Sequence, residues 1–350
     1  MNKTIISNLG VYSFGHALID AVSAAVVFSI GILNNLPAQE IVLLIITYNV
    51  IAFSLQALIG FAVDTFRFPK LAAIIGCVLA GISTLTIGFP WLTVILVGLG
   101  NAFFHVGGGV ISLNLNPGKA TFPGIFVSTG AIGLLIGVLI GKSGNFNAVP
   151  FILLLLFLVI AIKLVKPPAI NYEPKPKANF NRMEIIVVLL LVSIAIRGMV
   201  GTLLKLPWKS DFNLLLILTI AVVLGKALGG IFADKFGWIK VSVSCLLLSA
   251  PLLFLGPNYA ILGILGAFLF NFTMPVTLTA LSNTLPGKAG FAFGLTTLAL
   301  IIGAFISYTP LESYLSEPLF ILIIILISSV LLFKGLKIYL QDYSQAWGKT

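Results

Sequence analysis

Long apolar segments alternate with short polar ones along the whole chain. Each segment is continuously apolar rather than alternating in polarity, which favours membrane-spanning helices over the strands of a barrel. A bilayer core requires about 20 apolar residues per helix. The sequence therefore predicts an all-α polytopic membrane protein with twelve spans, at 8–31, 40–62, 70–89, 91–113, 120–141, 149–165, 183–204, 211–233, 239–256, 258–278, 287–308 and 317–338.

The two halves of the chain repeat the same motifs in the same order. GFAVDTFRFPK at 60–70 corresponds to GGIFADKFGWIK at 229–240, with an offset of 170 between their aspartates, and NPGKA at 116–120 corresponds to LPGKA at 285–289. Two motifs with nearly one offset indicate duplication of a six-helix unit. We predict an N-terminal six-helix bundle at 1–165, a cytoplasmic linker at 166–182, and a C-terminal six-helix bundle with a short cytoplasmic tail at 183–350.

The distribution of basic residues predicts the orientation. Only 9% of the 350 residues are charged, and with the N terminus inside, 15 of the 20 lysines and arginines fall on the cytoplasmic side. We therefore expect the protein to lie in the cytoplasmic membrane. The positive-inside rule then places both termini in the cytoplasm. This bias accounts for the net charge of +10. We therefore expect the lipid bilayer as a partner and no nucleic-acid partner.

The duplicated motif resembles the loop signature of the major facilitator superfamily. The second copy fits it with Gly230, Asp234, Lys235, Gly237 and Lys240. The first copy keeps Gly60, Asp64, Arg67 and Lys70, but Thr65 and Arg67 replace the usual basic residue and glycine. The resemblance implies two pseudo-symmetric six-helix bundles that move a solute by alternating access, with these residues as a gate that locks one face. It also implies that spans 1, 4, 7 and 10 line a central cavity.

Four further segments suggest a narrower likeness to the fosmidomycin-resistance group of exporters. They are GHALID at 15–20, TYNVIAFSLQALIGFAVD at 47–64, GLGNAFFH at 98–105 and LPGKAG at 285–290. The likeness implies a proton antiporter that works in efflux. It ends after His105, where this chain has Val-Gly-Gly-Gly, so the substrate of that group is not carried over.

Ionisable side chains inside a membrane are costly and are candidates for function. The predicted spans contain five that lie deep: His16, Asp20, His105, Arg197 and Lys226. At about 1.5 Å per residue, His16 and His105 lie roughly 10–12 Å from the cytoplasmic face, with Asp20 and Asn101 one turn deeper. His16 and Asp20 share one helix face. We predict that His16 faces His105 next to a layer formed by Asp20 and Asn101.

These residues have functional and structural interpretations. Asp20, His105 and His16 are predicted to load and release a proton, or else the histidines are neutral core groups that join two helices. The structural alternative for Asp20 is a static ion pair with Arg197. Arg197 is the expected contact for an anionic substrate, or else a structural partner for helix-end carbonyls. Lys226 either lines the cavity or extends to the cytoplasmic edge. Further polar residues expected along the substrate path are Tyr48, Asn49, Gln56, Asn101 and Asn271.

We predict a secondary active transporter that works as a monomer, uses protons, and exports an anionic or drug-like small molecule. One alternative is a transporter of divalent transition metals, with His16, Asp20 and His105 as the ligands. A second is a non-transporting membrane sensor or a scramblase with the same fold. The sequence has no G-x-x-x-x-G-K-[ST] motif, which argues against an ATP-driven pump. We expect no enzymatic activity and no cofactor.

Overall fold

A computed structural model describes residues 3–173 and 182–347, with side chains as far as residue 342. Lys175 and Lys177 of the predicted linker, and Lys349, lie outside the described residues. Within these ranges the apolar segments form twelve helices, which are α1 Lys3–Leu33, α2 Ala38–Phe66, α3 Pro69–Leu85, α4 Pro90–Asn114, α5 Thr121–Lys142, α6 Ala148–Leu164, α7 Met183–Leu203, α8 Phe212–Phe236, α9 Trp238–Leu255, α10 Ala260–Thr284, α11 Ala289–Tyr308 and α12 Pro318–Trp347.

Each predicted span coincides with one helix, so the all-α class is confirmed. Ten helices are long and apolar enough to cross a membrane, and α3 and α6 are shorter apolar helices of 17 residues each. Two helices run past their predicted ends at 278 and 338, since α10 continues to Thr284 and α12 to Trp347. A four-residue helix at Glu312–Leu315 precedes α12.

Three helices are irregular in the middle of the bundle. A π-helical turn at Val50–Ser54 interrupts α2. Helix α5 consists of two segments, Thr121–Ser128 and Gly130–Lys142. Helix α10 breaks between Phe270 and Thr273. Such breaks free backbone groups and redirect side chains, and they are frequent at functional sites. All three lie close to the polar residues of the candidate site.

The hydrophobic side chains form two large cores. One core consists mainly of residues from α1 to α6, including Ile19, Phe104 and Leu158, and the other of residues from α7 to α12, including Leu190 and Ile325. This is the packing that two six-helix bundles require, and the boundaries at 165 and 183 stay a prediction. A smaller cluster lies where α2, α3 and α4 meet.

Helix α5 packs on α1 through a row of glycines. A Cβ atom at Gly133 would collide with the carbonyl oxygen of Ala17, and one at Gly137 would collide with that of Ala21. A Cβ at Gly141 would lie 2.7 Å from the Cβ of Phe28. Small residues at this spacing let two backbones approach closely in a membrane. The row fixes α5 against the helix that carries His16 and Asp20.

The loops after α2, α4, α6, α8 and α10 lie at one end of the bundle, which we call the basic face. Here α2 ends at Arg67 and α8 ends at Gly237, and both residues have positive φ, 58° and 100°. Gly237 meets this requirement without strain. Arg67 occupies the corresponding position of the first repeat, so the departure from the superfamily motif falls on a backbone conformation that favours glycine.

Candidate functional site

Two helices of the N-terminal half bring an aspartate between two histidines. Asp20 Oδ2 lies 3.3 Å from His16 Nε2, and Asp20 Oδ1 lies 3.4 Å from His105 Nε2. Asn101 donates from Nδ2 to Asp20 Oδ1 at 3.1 Å and to Ser23 Oγ at 3.3 Å. The imidazole centroids are 4.4 Å apart at 88°. The predicted layers of His16 with His105 and Asp20 with Asn101 are present.

The backbone determines which imidazole nitrogens carry hydrogen. His16 Nδ1 lies 2.7 Å from the carbonyl oxygen of Phe126, and His105 Nδ1 lies 2.8 Å from that of Asn101. A carbonyl oxygen only accepts, so each Nδ1 is the donor. A neutral histidine of this tautomer presents a bare Nε2, and both Nε2 atoms face the carboxylate of Asp20. In both contacts, the lone pair of Nε2 would repel those of the carboxylate oxygen unless a proton or another cation lies between them.

Gly130 of α5 closes one side of this cluster, and the sequence interpretation missed it. A Cβ atom at Gly130 would collide with Asp20 Oδ2 and lie 2.6 Å from His16 Nε2. The sequence did contain a sign of its importance, because Gly130 extends the glycine row of α5 by one member. The missing side chain leaves the room that the carboxylate and imidazole occupy.

Gly130→Ala should therefore disturb the cluster, while Gly10→Ala should not. An added methyl group in a packed core costs about 1–3 kcal/mol, so we expect a lower melting temperature for Gly130→Ala in detergent. Gly10, on α1, has nothing within 4 Å of an added Cβ and serves as the matched control. Equal melting temperatures for the two variants would contradict the close contact at Gly130.

Arg197 of α7 lies in the middle of the C-terminal half. Its Nη1 donates to Thr273 Oγ1 at 3.0 Å and to Thr277 Oγ1 at 3.3 Å, both on α10. The expected static ion pair with Asp20 is absent from the contacts of the described residues, because α10 holds the guanidinium on its own half. The two threonines were not singled out from sequence, although they lie one helical turn apart after the break in α10.

Lys226 of α8 reaches across to the N-terminal half. Its Nζ lies 3.5 Å from the carbonyl oxygen of Val127 on α5. It is also close enough to Asp20 and Arg197 to interact electrostatically with both. Of the two predicted placements, the structure has Lys226 in the interior, away from the helix end that carries Asp234.

Two of the remaining polar residues lie at or above the cluster. The hydroxyl of Tyr48 lies near Ser23 and Asp20. Asn49 is further from the basic face, and its Nδ2 lies 3.4 Å from the hydroxyl of Tyr308 on α11. Tyr48 therefore belongs to the surroundings of Asp20, whereas Asn49 contacts the opposite half.

The side chains of Gln56 and Asn271 form hydrogen bonds within their own helices. Gln56 is buried where α2 packs on α11, and its Nε2 donates to the carbonyl oxygen of Ala52 in the same helix. Asn271 turns back in the same way to Ala267, at 2.8 Å. Each amide donates a hydrogen bond to a backbone carbonyl oxygen near an irregular turn of its helix. That Gln56 and Asn271 line a substrate path stays a prediction.

At the basic face, Asp64 of α2 caps a helix of the opposite half. Its carboxylate accepts hydrogen bonds from the backbone N–H groups of Gly290 at 2.9 Å and Phe291 at 2.8 Å, at the start of α11. Gly60, one turn earlier, packs so closely on Gly290 that any side chain at residue 60 would collide with its carbonyl. Unpaired N–H groups and the helix dipole make this a favourable place for a carboxylate.

Asp234 of α8 repeats the arrangement on the other side. It accepts hydrogen bonds from the backbone N–H groups of Ala120 at 3.0 Å and Thr121 at 2.9 Å, at the start of α5. The hydroxyl of Thr121 and the indole N–H of Trp238 donate to it as well, at 2.7 and 3.0 Å. A Cβ at Gly230 would collide with the carbonyl of Ala120. The two carboxylates therefore join the halves.

The basic residues of the motif make no described contact across the two halves. Lys70 donates to the carbonyl oxygens of Lys163 and Val165, both at 2.9 Å, and so binds its own half. Lys235 and Lys240 are exposed. In the described part of the chain, none of the three makes an ion pair between the halves. Locking contacts at this face come from the aspartates.

The described start of the linker lies across the closed basic face. The Arg67 guanidinium lies 5.5 Å from the ring centroid of Tyr172 and 3.8 Å from the carboxylate of Glu173. Gly287, before α11, packs on the backbone of Tyr172. Burial raises the pKa of Tyr172 to about 12, and the charge of Asp64 acts in the same direction. The linker thereby contacts both halves beside the Asp64 cap.

Close contacts between the halves concentrate towards the basic face. Gly109 of α4 packs on the ring of Phe293, and Gly294 of α11 packs on the backbone of Gln56 and Ala57. Gly124 of α5 packs on the carbonyl of Lys226. Further from the basic face, Thr297 Oγ1 donates to the carbonyl oxygen of Phe53 at 3.1 Å, and Asn49 Nδ2 donates to the hydroxyl of Tyr308 at 3.4 Å. The structure therefore represents a state with the basic face closed.

Solved structures share this architecture. No family model and no curated protein matches the sequence. A variant of the Escherichia coli fucose:proton symporter FucP matches with a TM-score of 0.72 and 12% identity, over 97% of this chain and 99% of that chain. FucP in the outward conformation, described as a major facilitator superfamily transporter, matches with a TM-score of 0.64 and 13% identity, over 94% and 99%. The predicted major facilitator fold is confirmed, and the narrower likeness to fosmidomycin-resistance exporters gains no support.

Proposed function

We propose that this chain is a proton-coupled secondary transporter that moves a small solute by alternating access. The observation that carries the proposal is the Asp20 cluster, a carboxylate held between two imidazoles whose geometry requires a proton or another cation in each contact. An intramembrane arrangement of this kind is typical of proton relays. Protons, a small-molecule solute and the bilayer are its partners, and it acts as a monomer in the cytoplasmic membrane with both termini inside.

The reciprocal caps supply the conformational switch. Asp64 and Asp234 hold helix ends of the opposite half through hydrogen bonds that can break and reform without any covalent step. Closing one face while the other opens is the motion that two repeats around a central site allow. Helices α1, α4, α7 and α10 contribute Asp20, His105, Arg197 and the two threonines to that central region, which is where alternating access needs its solute.

Symport fits the charges better than the expected export by antiport. Protonation of the Asp20 cluster adds positive charge near Lys226 and Arg197, so it favours binding of an anion rather than competing with it. Cooperative binding of proton and solute is the requirement for symport. The structural neighbour with the TM-score of 0.72 is a fucose:proton symporter, which gives no support to antiport or efflux.

The metal alternative has a geometric basis, since one donor atom from each of His16, Asp20 and His105 lies within 4.8 Å of the others. All three donors come from the N-terminal half, however, and a transported ion must exchange contacts with both halves as the faces alternate. We therefore favour protons at this cluster and place the solute nearer to Arg197.

Reconstitution into liposomes containing a pH-sensitive dye tests the proposal. We expect at least one solute from a panel of monocarboxylates, neutral hexoses, drug-like cations and divalent metals to drive proton entry into proteoliposomes and none to do so in empty liposomes. An alkaline interior should accumulate that solute, as symport requires, whereas accumulation in an acidic interior would indicate antiport. Lipid translocation without any solute-driven proton flux would instead support a scramblase.

A further inference from the structure

Arg197 is a cation whose partners in the bundle carry no charge. Its described contacts are the hydroxyls of Thr273 and Thr277. Within the described residues, no carboxylate lies at ion-pair distance from it. A guanidinium in a membrane interior is costly unless an anion or several acceptors compensate it. The two threonines orient the group and satisfy part of its five donors, and they leave its charge unbalanced.

Lys226 adds a second positive charge in the same region. It interacts electrostatically with Asp20 on one side and with Arg197 on the other. Its hydrogen-bond partner is a backbone carbonyl at 3.5 Å. With Asp20 ionised, two cations and one carboxylate leave one positive charge in excess, even before any proton resides on the histidines.

We propose that the substrate is a small monocarboxylate, bound through its carboxylate to Arg197 and Lys226 and carried together with a proton on the Asp20 cluster. This inference rests on the proposed function and specifies its substrate class. The planar fork of an arginine pairs two donors with the two oxygens of a carboxylate. With the coupled proton on the cluster the excess rises to two positive charges, and a bound carboxylate lowers it, whereas a neutral sugar would leave it unchanged.

The same arrangement makes anion binding depend on pH. The titratable groups around Asp20 are His16 on its own helix, His105 on α4, Tyr48 on α2 and Lys226 on α8, and α5 contributes the backbone of Gly130. A proton on the cluster removes the negative charge that attracts Lys226 and leaves that ammonium free for the substrate. By reciprocity, a bound carboxylate must increase proton uptake by the protein.

Thermal unfolding and proton uptake of the purified protein test the inference with one set of probes. The probes are aliphatic and aromatic monocarboxylates, each measured beside its uncharged amide. At least one carboxylate is expected to raise the melting temperature and to take up protons from a weakly buffered solution, while its amide does neither. Arg197→Gln and Lys226→Gln should each weaken binding about tenfold or more. Lys142→Gln, whose ammonium lies 5.4 Å from the ring centroid of Phe28, should bind as the wild type does.

Arg197→Lys keeps the charge and provides a second variant in case Arg197→Gln does not fold. It should bind weakly but measurably, since a lysine lacks the fork. The inference is overturned if no carboxylate stabilises the protein, if amides stabilise it equally, or if both Arg197 variants bind at wild-type affinity. A neutral hexose that drives proton entry in proteoliposomes would overturn the carboxylate assignment and leave proton-coupled transport intact. Failure of every solute to move protons would overturn the proposed function itself.

Discussion

Asp20→Asn is expected to abolish proton-driven accumulation of the solute while exchange of solute across the membrane continues. Asparagine keeps the size of the side chain and an oxygen for Asn101, but it cannot take up a proton. The change also removes the negative charge beside Lys226, as protonation does, so solute binding should lose its dependence on pH. The measurement is accumulation under an imposed pH gradient, compared with counterflow of labelled solute without a gradient.

Asp211→Asn provides the matched control for this substitution. Asp211 caps α8 through the backbone N–H of Leu214 at 3.0 Å, outside the predicted central region, and asparagine is as good a capping residue as aspartate. Accumulation and counterflow should both stay at wild-type levels. Proton-driven accumulation by Asp20→Asn would show that the carboxylate is not the coupling group, and loss of counterflow as well would assign it to folding or solute binding.

The Asp20 cluster was predictable because helix periodicity gives the depth of each side chain, and the resemblance to the major facilitator superfamily implies that spans 1 and 4 line the same cavity. His16 and Asp20 lie one turn apart, as do Asn101 and His105, and an antiparallel pair of spans brings equal depths together. Counting residues from each predicted helix end gave the two depths, and the implied proximity of spans 1 and 4 placed the four side chains in two layers. No knowledge of packing between the two halves was needed.

Contacts that depend on packing between distant helices could not be obtained this way. The sequence shows Asp64, Asp234 and both PGKA motifs, but it does not show that each carboxylate caps the helix that follows the PGKA motif of the other half. The partner of Arg197 was also unpredictable, because its choice between Asp20 and the threonines depends on how α10 bends at its break. Gly130 became visible only when a Cβ could be placed against the cluster.

Helix α5 connects the Asp234 cap to the Asp20 cluster. Its first turn is capped by Asp234, the carbonyl of Phe126 accepts the hydrogen bond from His16, and Gly130 packs against Asp20. A change of protonation at the cluster therefore acts on the same helix whose end is released when the basic face opens. Under the proposed function, this gives a physical route by which proton binding can bias the two states, since both sets of contacts belong to α5.

Removing one gate carboxylate is expected to loosen both caps together. Asp64→Asn leaves one acceptor where two were used, and a hydrogen bond to a charged group contributes about 1.5–3 kcal/mol. The closed state should therefore lose roughly tenfold to a hundredfold in relative population. Hydrogen–deuterium exchange should accelerate at Gly290 and Phe291 and equally at Ala120 and Thr121, because the proposed alternating access opens the basic face as a unit.

Asp234→Asn should have the larger effect of the two, because Asp234 accepts hydrogen bonds from four donors and Asp64 accepts from two. It should likewise expose both helix ends. Asp211→Ala separates this outcome from simple loss of a cap, since alanine removes the cap that Asp211 gives to its own helix and the effect should stay within the first turn of α8. Faster exchange confined to the helix whose cap was changed would mean that the two aspartates act independently, and the gate would then not open as one rigid-body step.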